Sequence, residues 1–177
     1  MADTIAAIAT GAQVAAIGII RISGPEALPI VDRLFRPASG KLMSEYEDRK
    51  LVYGRLTDLS GDLLDLCLCT VSHAPHSYTG EDTAELQCHG SPTVLRAALE
   101  ELFHAGARQA LPGEFTKRAF LNGRMELSSA EAVADIIDAE SIECAKNAAA
   151  QLSGAVAVKA DNIYSTLTDI SSHYHAV

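Results

Sequence analysis

The 177-residue sequence has no tryptophan, and aromatic residues make up only 5% of it. Base-stacking platforms of the kind that hold single-stranded nucleic acid are therefore poorly provided for. Positive charge is also scarce. Fourteen Lys and Arg stand against 23 Asp and Glu, a net charge of −9. A chain this acidic is a poor stand-alone nucleic-acid binder, because neutralising phosphates takes clustered cations. No apolar run approaches the ~20 residues of a membrane-spanning helix. Nucleotide-binding loops are missing too. There is no G-x-x-x-x-G-K-[ST] and no G-x-G-x-x-G. No G-x-S-x-G nucleophile elbow or ordered Ser-His-Asp set occurs. The start, Met1-Ala2-Asp3-Thr4, lacks the basic opening of a secretory signal, so a cytoplasmic location is expected.

What is present is globular: 48% hydrophobic and 21% charged residues, enough to bury a core without staples. The four cysteines, Cys67, Cys69, Cys88 and Cys144, all fall in apolar stretches, so buried reduced thiols are expected. Alternation turns Cys67 and Cys69 the same way on a strand, and His73, His76, Cys88 and His89 are further ligand types nearby. No zinc-type spacing joins these groups. They read as strand core, and no metal site is expected.

Thr4–Ala9 predicts a short strand, followed by a small-residue loop. Ile17–Ser23 is apolar on both faces and predicts a central strand. After Ser23-Gly24-Pro25, a helix is expected through Val31, Leu34 and Phe35, stopped by Pro37. Residues 38–50 read as surface loop. Leu51–Leu56 and Leu63–Val71 predict a hairpin around Ser60-Gly61-Asp62, and Asp82–His89 predicts a further strand. Ser91-Pro92 opens a helix to Ala105-Gly106. Ala107–Leu111 predicts a short strand, and a helix runs from Glu114 to the stop at Asn122-Gly123.

Beyond that point the chain is helical. Ser128 and Glu131 form a capping-box pattern ahead of an Ala-rich helix reaching Leu152. Ser153-Gly154 breaks it, and a second helix carries an apolar stripe of Val156, Ala160, Ile163, Leu167, Ile170 and Tyr174. The two are expected to form an antiparallel hairpin. The stripe runs almost to the last residue, which leads us to expect that a longer protein continues. The reading is α+β over residues 1–120, followed over 121–177 by the start of a helical domain.

Three charged residues draw attention. Arg21 lies in the apolar strand, and a cation there needs a carboxylate, an anionic ligand or a wet strand end. On the 82–89 strand, alternation sets Glu85, Gln87 and His89 opposite Ala84, Leu86 and Cys88, marking a solvated face or a pocket wall. Arg124 follows the Asn122-Gly123 stop, at the junction of the two parts, where ligand sites are common. The N-terminus of the helix after Gly90-Ser91-Pro92 is a further anion cradle in principle.

Four blocks in order carry a resemblance: Ile17-Gly18-Ile19-Ile20-Arg21-Ile22-Ser23-Gly24; Ser77-Tyr78-Thr79-Gly80-Glu81-Asp82 with Glu85-Leu86-Gln87-Cys88-His89-Gly90; Leu111–Arg124, with Pro112-Gly113-Glu114-Phe115-Thr116-Lys117-Arg118-Ala119-Phe120-Leu121-Asn122; and Ala130–Ala139. Together they resemble the N-terminal part of the MnmE (TrmE) family of tRNA-modification GTPases, over essentially the whole chain. The resemblance implies a mixed-sheet, tetrahydrofolate-binding-like domain and the first helices of a helical domain into which a GTPase domain is inserted. It implies a homodimer that binds 5-formyltetrahydrofolate or a related tetrahydrofolate. A flavoprotein partner resembling MnmG and tRNA wobble uridine as substrate are implied as well. GTP, Mg and K would belong to the GTPase domain, so no catalytic residue is expected in this chain. Motif position carries the folate contacts over to Arg21, Glu85 and Arg124. A carboxylate such as Glu85 can accept two hydrogen bonds from a pterin's amino-pyrimidinone edge, while either Arg can bind carbonyl, formyl or carboxylate oxygens.

Two departures stand out. The glycine-rich loop that relatives carry before the Arg strand is Thr10-Gly11-Ala12-Gln13-Val14-Ala15-Ala16 here, and the usual glycine before His89 is Cys88. Two other readings stay open: a dimerisation module whose folate site has decayed, and a stand-alone folate-dependent aminomethyl or formyl transferase.

Overall fold

A computed structural model of the chain describes residues 3–175. It divides into two compact units, one reaching Phe115 and the other beginning at Thr116.

The first unit is built on a seven-stranded sheet with strand order β3-β4-β5-β6-β2-β1-β7. The strands are β1 (Ile5–Ile8), β2 (Ile17–Ser23), β3 (Phe35–Pro37), β4 (Val52–Thr57), β5 (Leu63–Ser72), β6 (Thr83–His89) and β7 (Arg108–Gln109). Every pairing is antiparallel except β1 with β7, so the sheet is mixed. β2 lies between β1 and β6, the central position that its two-sided apolar pattern predicts. One face is core. Ile20, Ile22, Val71, Leu86 and Cys69 lie there, at most 1% exposed. Helices α1 (Ala27–Leu34) and α2 (Pro92–His104) cover that face with Ile30, Val31, Leu34, Leu95 and Leu102. Burying each such side chain stabilises the fold by roughly 1.5–3 kcal/mol. Gly18 allows the close approach of α2: a Cβ there would lie 2.3 Å from Leu95 Cδ1.

The mixed α+β architecture agrees with the sequence reading, and the differences are local. α1 ends at Leu34, and Phe35–Pro37 pairs with β4 as β3. The residue before a proline is pushed to extended backbone, so Pro37 sends Arg36 and Phe35 into the sheet instead of merely stopping a helix. The 38–50 segment is not all surface. It contains a 3-10 turn at Met43–Glu45 with Met43 fully buried. Asp32 Oδ1 accepts the Met43 N–H at 2.6 Å and the Ser44 N–H at 3.2 Å, which pins this segment onto α1.

The second unit holds most of α3 (Glu114–Leu121), then α4 (Leu127–Ile137), α5 (Ile142–Leu152) and α6 (Ala155–His175). The expected single Ala-rich helix is two helices. Ser141 caps the second, its Oγ accepting the Cys144 N–H at 3.2 Å. The Ser128–Glu131 capping box is not formed. α4 begins at Leu127 with Glu126 as its N-cap, which leaves Ser128 inside the first turn. The antiparallel hairpin is α4 with α5, since Gln151 near the end of α5 donates from Nε2 to Ser128 O at the start of α4, 3.1 Å away. Cys144 is exposed, against expectation, while Cys67, Cys69 and Cys88 are buried and unpaired as disulfides. On α6, Ile163, Leu167, Ile170 and Tyr174 are all exposed; the Val156 side chain lies outside the described residues.

Candidate functional site

Strand register assembles the site. Arg21 stands opposite Glu85 across β2 and β6, and Glu85 opposite Thr70 across β6 and β5. All three lie on the sheet face turned away from the core. Arg21 donates from Nε to Glu85 Oε1 at 2.8 Å, and its Nη2 lies 2.7 Å from the same oxygen. The two side chains are only 32% and 28% exposed. Arg21 is therefore a paired cation on a partly buried strand, not a wet strand end. Its guanidinium also lies over two rings, 5.4 Å from the Tyr78 centroid and 5.7 Å from that of Phe115, within cation–π range.

Around this pair lies a pocket of about 440 Å³, lined among others by Arg21, Glu85, Gln87, Thr70, Tyr78 and Arg49. The loop before β6 forms its rim. Ser77 and Thr79 are buried there, and Gly80 supplies a left-handed turn at φ 78°. Ser23 Oγ lies 2.7 Å from both Thr79 Oγ1 and Glu81 Oε2. A hydroxyl donates once; Ser23 donates to the Glu81 carboxylate and accepts from Thr79. The end of β2 thereby fixes the loop that carries Tyr78. Arg49, itself at φ 63°, donates from Nη2 to His76 O at 2.8 Å and from its backbone N–H to Val71 O at 2.8 Å. Next to it, His73 Nδ1 meets Asp48 Oδ1 at 2.5 Å. That bond holds the Asp48 carboxyl below its ordinary range and the His73 imidazole above its own.

Of the three residues predicted to bind a ligand, the structure joins Arg21 to Glu85. Arg124 belongs to the second unit, where its N–H donates to Ala119 O at 2.8 Å just after Gly123. Gln87 shares the wall with Glu85 as alternation predicts, but His89 does not line the pocket. Its Nδ1 lies 2.7 Å from Asp65 Oδ1 and its N–H donates to Oδ2. The N-terminus of α2 is not part of the pocket lining either. The 10–16 loop runs beside Gly90, with the Ala15 N–H donating to Gly90 O at 3.1 Å and the Gly90 N–H to Ala16 O at 3.3 Å. Sequence reasoning missed Arg49, Thr70 and Phe115. Thr70 was legible, since the alternation that buries Cys69 and Val71 turns it to the Glu85 face. Arg49 and Phe115 lie outside regular strands and gave no such signal.

The sequence profile of the family described as "GTP-binding protein TrmE N-terminus" matches residues 4–124. The chain belongs to the TrmE N-terminal family. It is 47% identical to the "tRNA modification GTPase MnmE" of Symbiobacterium thermophilum over 98% of its own length and 38% of that protein's. The protein of that name in Bacteroides thetaiotaomicron is likewise 47% identical, over 96% of this chain and 36% of the relative. The one in Alkaliphilus oremlandii is 41% identical over 97% and 37%. The chain thus spans less than two-fifths of these relatives and covers their N-terminal part. Arg21, Glu85, Tyr78 and Phe115 all lie inside the TrmE-type segment. No helix among the described residues is long and apolar enough to cross a membrane.

Proposed function

We propose that this chain is the tetrahydrofolate-binding and dimerisation module of a GTPase that modifies the wobble uridine of tRNA alongside a flavoprotein partner. The observation that carries the reading is the Arg21–Glu85 pair on a pocket wall within the TrmE-type segment. Both contacts from Arg21 fall on Oε1, so Oε2 keeps its acceptor capacity for the N–H groups of an amino-pyrimidinone edge. Arg21 orients the carboxylate for that purpose. The Tyr78 ring offers an apolar flank, and Arg49 offers a guanidinium for a carboxylate at another part of the wall. A volume of about 440 Å³ falls in the ordinary range for small-molecule sites. The residues therefore suit a folate such as 5-formyltetrahydrofolate, which when bound would supply the one-carbon unit. No residue of this chain is assigned to GTP, Mg or K, because no phosphate loop occurs in it. Dimerisation is supported by Ile17, Tyr53 and Leu66, which are 59%, 54% and 42% exposed on the sheet face that also carries Arg21 and Glu85.

Calorimetric titration with 5-formyltetrahydrofolate tests the folate reading. The account expects saturable binding that Glu85→Ala weakens by two to four orders of magnitude. That is the loss of about two hydrogen bonds to a charged group at roughly 1.5–3 kcal/mol each. Unchanged affinity would remove Glu85 from the site, and no binding by the native chain would favour a decayed one. Light scattering tests the pairing. A dimer that Tyr53→Glu with Leu66→Glu turns into a monomer is expected, and a native monomer at high concentration would contradict it. Turnover of an aminomethyl donor by this chain alone would favour the transferase reading instead.

A further inference from the structure

We infer that Cys67, Cys88 and Asp65 form a binding site for a thiophilic divalent ion of the zinc type, separate from the Arg21–Glu85 pocket. The sequence suggested Cys67 with Cys69 as the conceivable pair and spacing argued against it. The fold pairs Cys67 with Cys88 instead. Their strands β5 and β6 run antiparallel side by side, with Leu68 opposite Gln87, so the next position brings Cys67 and Cys88 face to face on the core side. The two sulfurs and an Asp65 carboxylate oxygen all lie within 4.8 Å of one another. A tetrahedral ion with metal–sulfur bonds of about 2.3 Å spans its ligands at roughly 3.8 Å. Closing around an ion thus takes no more than about an ångström of side-chain adjustment.

The surroundings favour an ion held firmly. Cys67 and Cys88 are 4% and 1% exposed, and the Asp65 side chain 9%. Asp65 is already oriented: His89 Nδ1 contacts Oδ1, His89 N–H contacts Oδ2, and the Leu66 N–H donates to Oδ1. Oδ2 carries a single donor and retains a lone pair for a metal. His89 stands behind the carboxylate as the outer partner that ligating groups usually have. Two sulfurs and one oxygen, with a fourth position for water, form a donor set that Zn(II) accepts. The bond from Cys88 and burial push the Cys67 thiol up from its ordinary value. An ion takes each sulfur as a thiolate. Cys69, equally buried, lies outside the cluster. Cys144 is exposed and belongs to the other unit. These two serve as internal controls.

Titration of the reduced chain with Co(II) reads the site directly. The expected result is a near-ultraviolet thiolate-to-metal band that saturates at one equivalent and is displaced by Zn(II). It should vanish in Cys67→Ala and Cys88→Ala and persist in Cys69→Ala and Cys144→Ala. His89→Ala should weaken binding by about ten- to a hundredfold. Cadmium NMR on the native chain, which needs no variant to fold, should report a two-sulfur ligand set. No band at one equivalent, a cadmium signal without sulfur ligands, or a band lost only in Cys144→Ala would overturn the assignment.

Discussion

The Thr70 hydroxyl offers a sharp test of how the site is built. Thr70 faces Glu85 across the β5–β6 register and lines the pocket. Its Oγ1 is buried and has no hydrogen-bond partner in the structure. Every other buried hydroxyl discussed above is satisfied, for example Ser23 with Thr79 and Glu81. An unsatisfied buried hydroxyl costs about 1–3 kcal/mol relative to a satisfied one, and valine has nearly the same shape as threonine. Thr70→Val should therefore stabilise the chain by about 1 kcal/mol or slightly more. In a chain of this size that raises the midpoint of thermal unfolding by about 2–4 °C. The same change should weaken 5-formyltetrahydrofolate binding if the ligand satisfies that hydroxyl, by roughly five- to tenfold for one neutral hydrogen bond. Scanning calorimetry and ligand titration on one preparation read both effects. A lower midpoint for Thr70→Val would refute the reasoning, because it would mean that the hydroxyl is already partnered in the folded chain.

Other consequences follow from the same geometry. Gly90→Ala places a Cβ 2.4 Å from the backbone oxygen of Ala15. Backbone cannot yield as a side-chain tip does, so a loss of about 1–3 kcal/mol is expected by denaturant unfolding. Ser141→Ala removes the cap on the Cys144 N–H and should cost about 1 kcal/mol, seen as lost helicity of the second unit. His73, raised above 6.5 by Asp48, contributes stability that is complete below about pH 6.5 and fades as pH climbs through its raised value. Asp48, lowered below 3.8, contributes above that value and loses it as pH falls further. The pair is thus fully effective between about pH 3.8 and 6.5, and NMR should show His73 titrating above 6.5 and returning toward it in Asp48→Asn. Arg49→Met should weaken binding of 5-formyltetrahydrofolate more than binding of a tetrahydropterin lacking the glutamate tail; equal losses would place Arg49 away from the tail.

Sequence patterning carried the first unit well because its strands have one core face. Ile17–Ser23, apolar on both faces, indicates an interior strand, and the alternation of Asp82–His89 sets the facing of Glu85. What patterning could not supply was pairing across distance. That Arg21 meets Glu85, 64 residues away, and that Cys67 meets Cys88 are properties of register, which no local window contains. Arg49 was hidden for a related reason: a residue at positive φ in an irregular segment has no periodicity to betray its direction. The helical part was read less well. Alanine favours helix so uniformly that the Asp138–Ser141 break left little trace except the Ser141 cap. Arg124 kept its expected place after the Gly123 turn, where sequence says nothing about the partners of its side chain.

The most direct test of the folate reading watches the pair itself. In isotope-edited NMR the Arg21 Nε–H, held by Glu85 Oε1 at 2.8 Å, should give a slowly exchanging signal. Titration with 5-formyltetrahydrofolate is predicted to shift that signal, together with the amides of Tyr78 and Glu85, along one saturable curve, while the signals of α6 stay in place. Saturable binding that leaves Arg21, Tyr78 and Glu85 unmoved would contradict the account, because the ligand would then occupy some other surface of the chain.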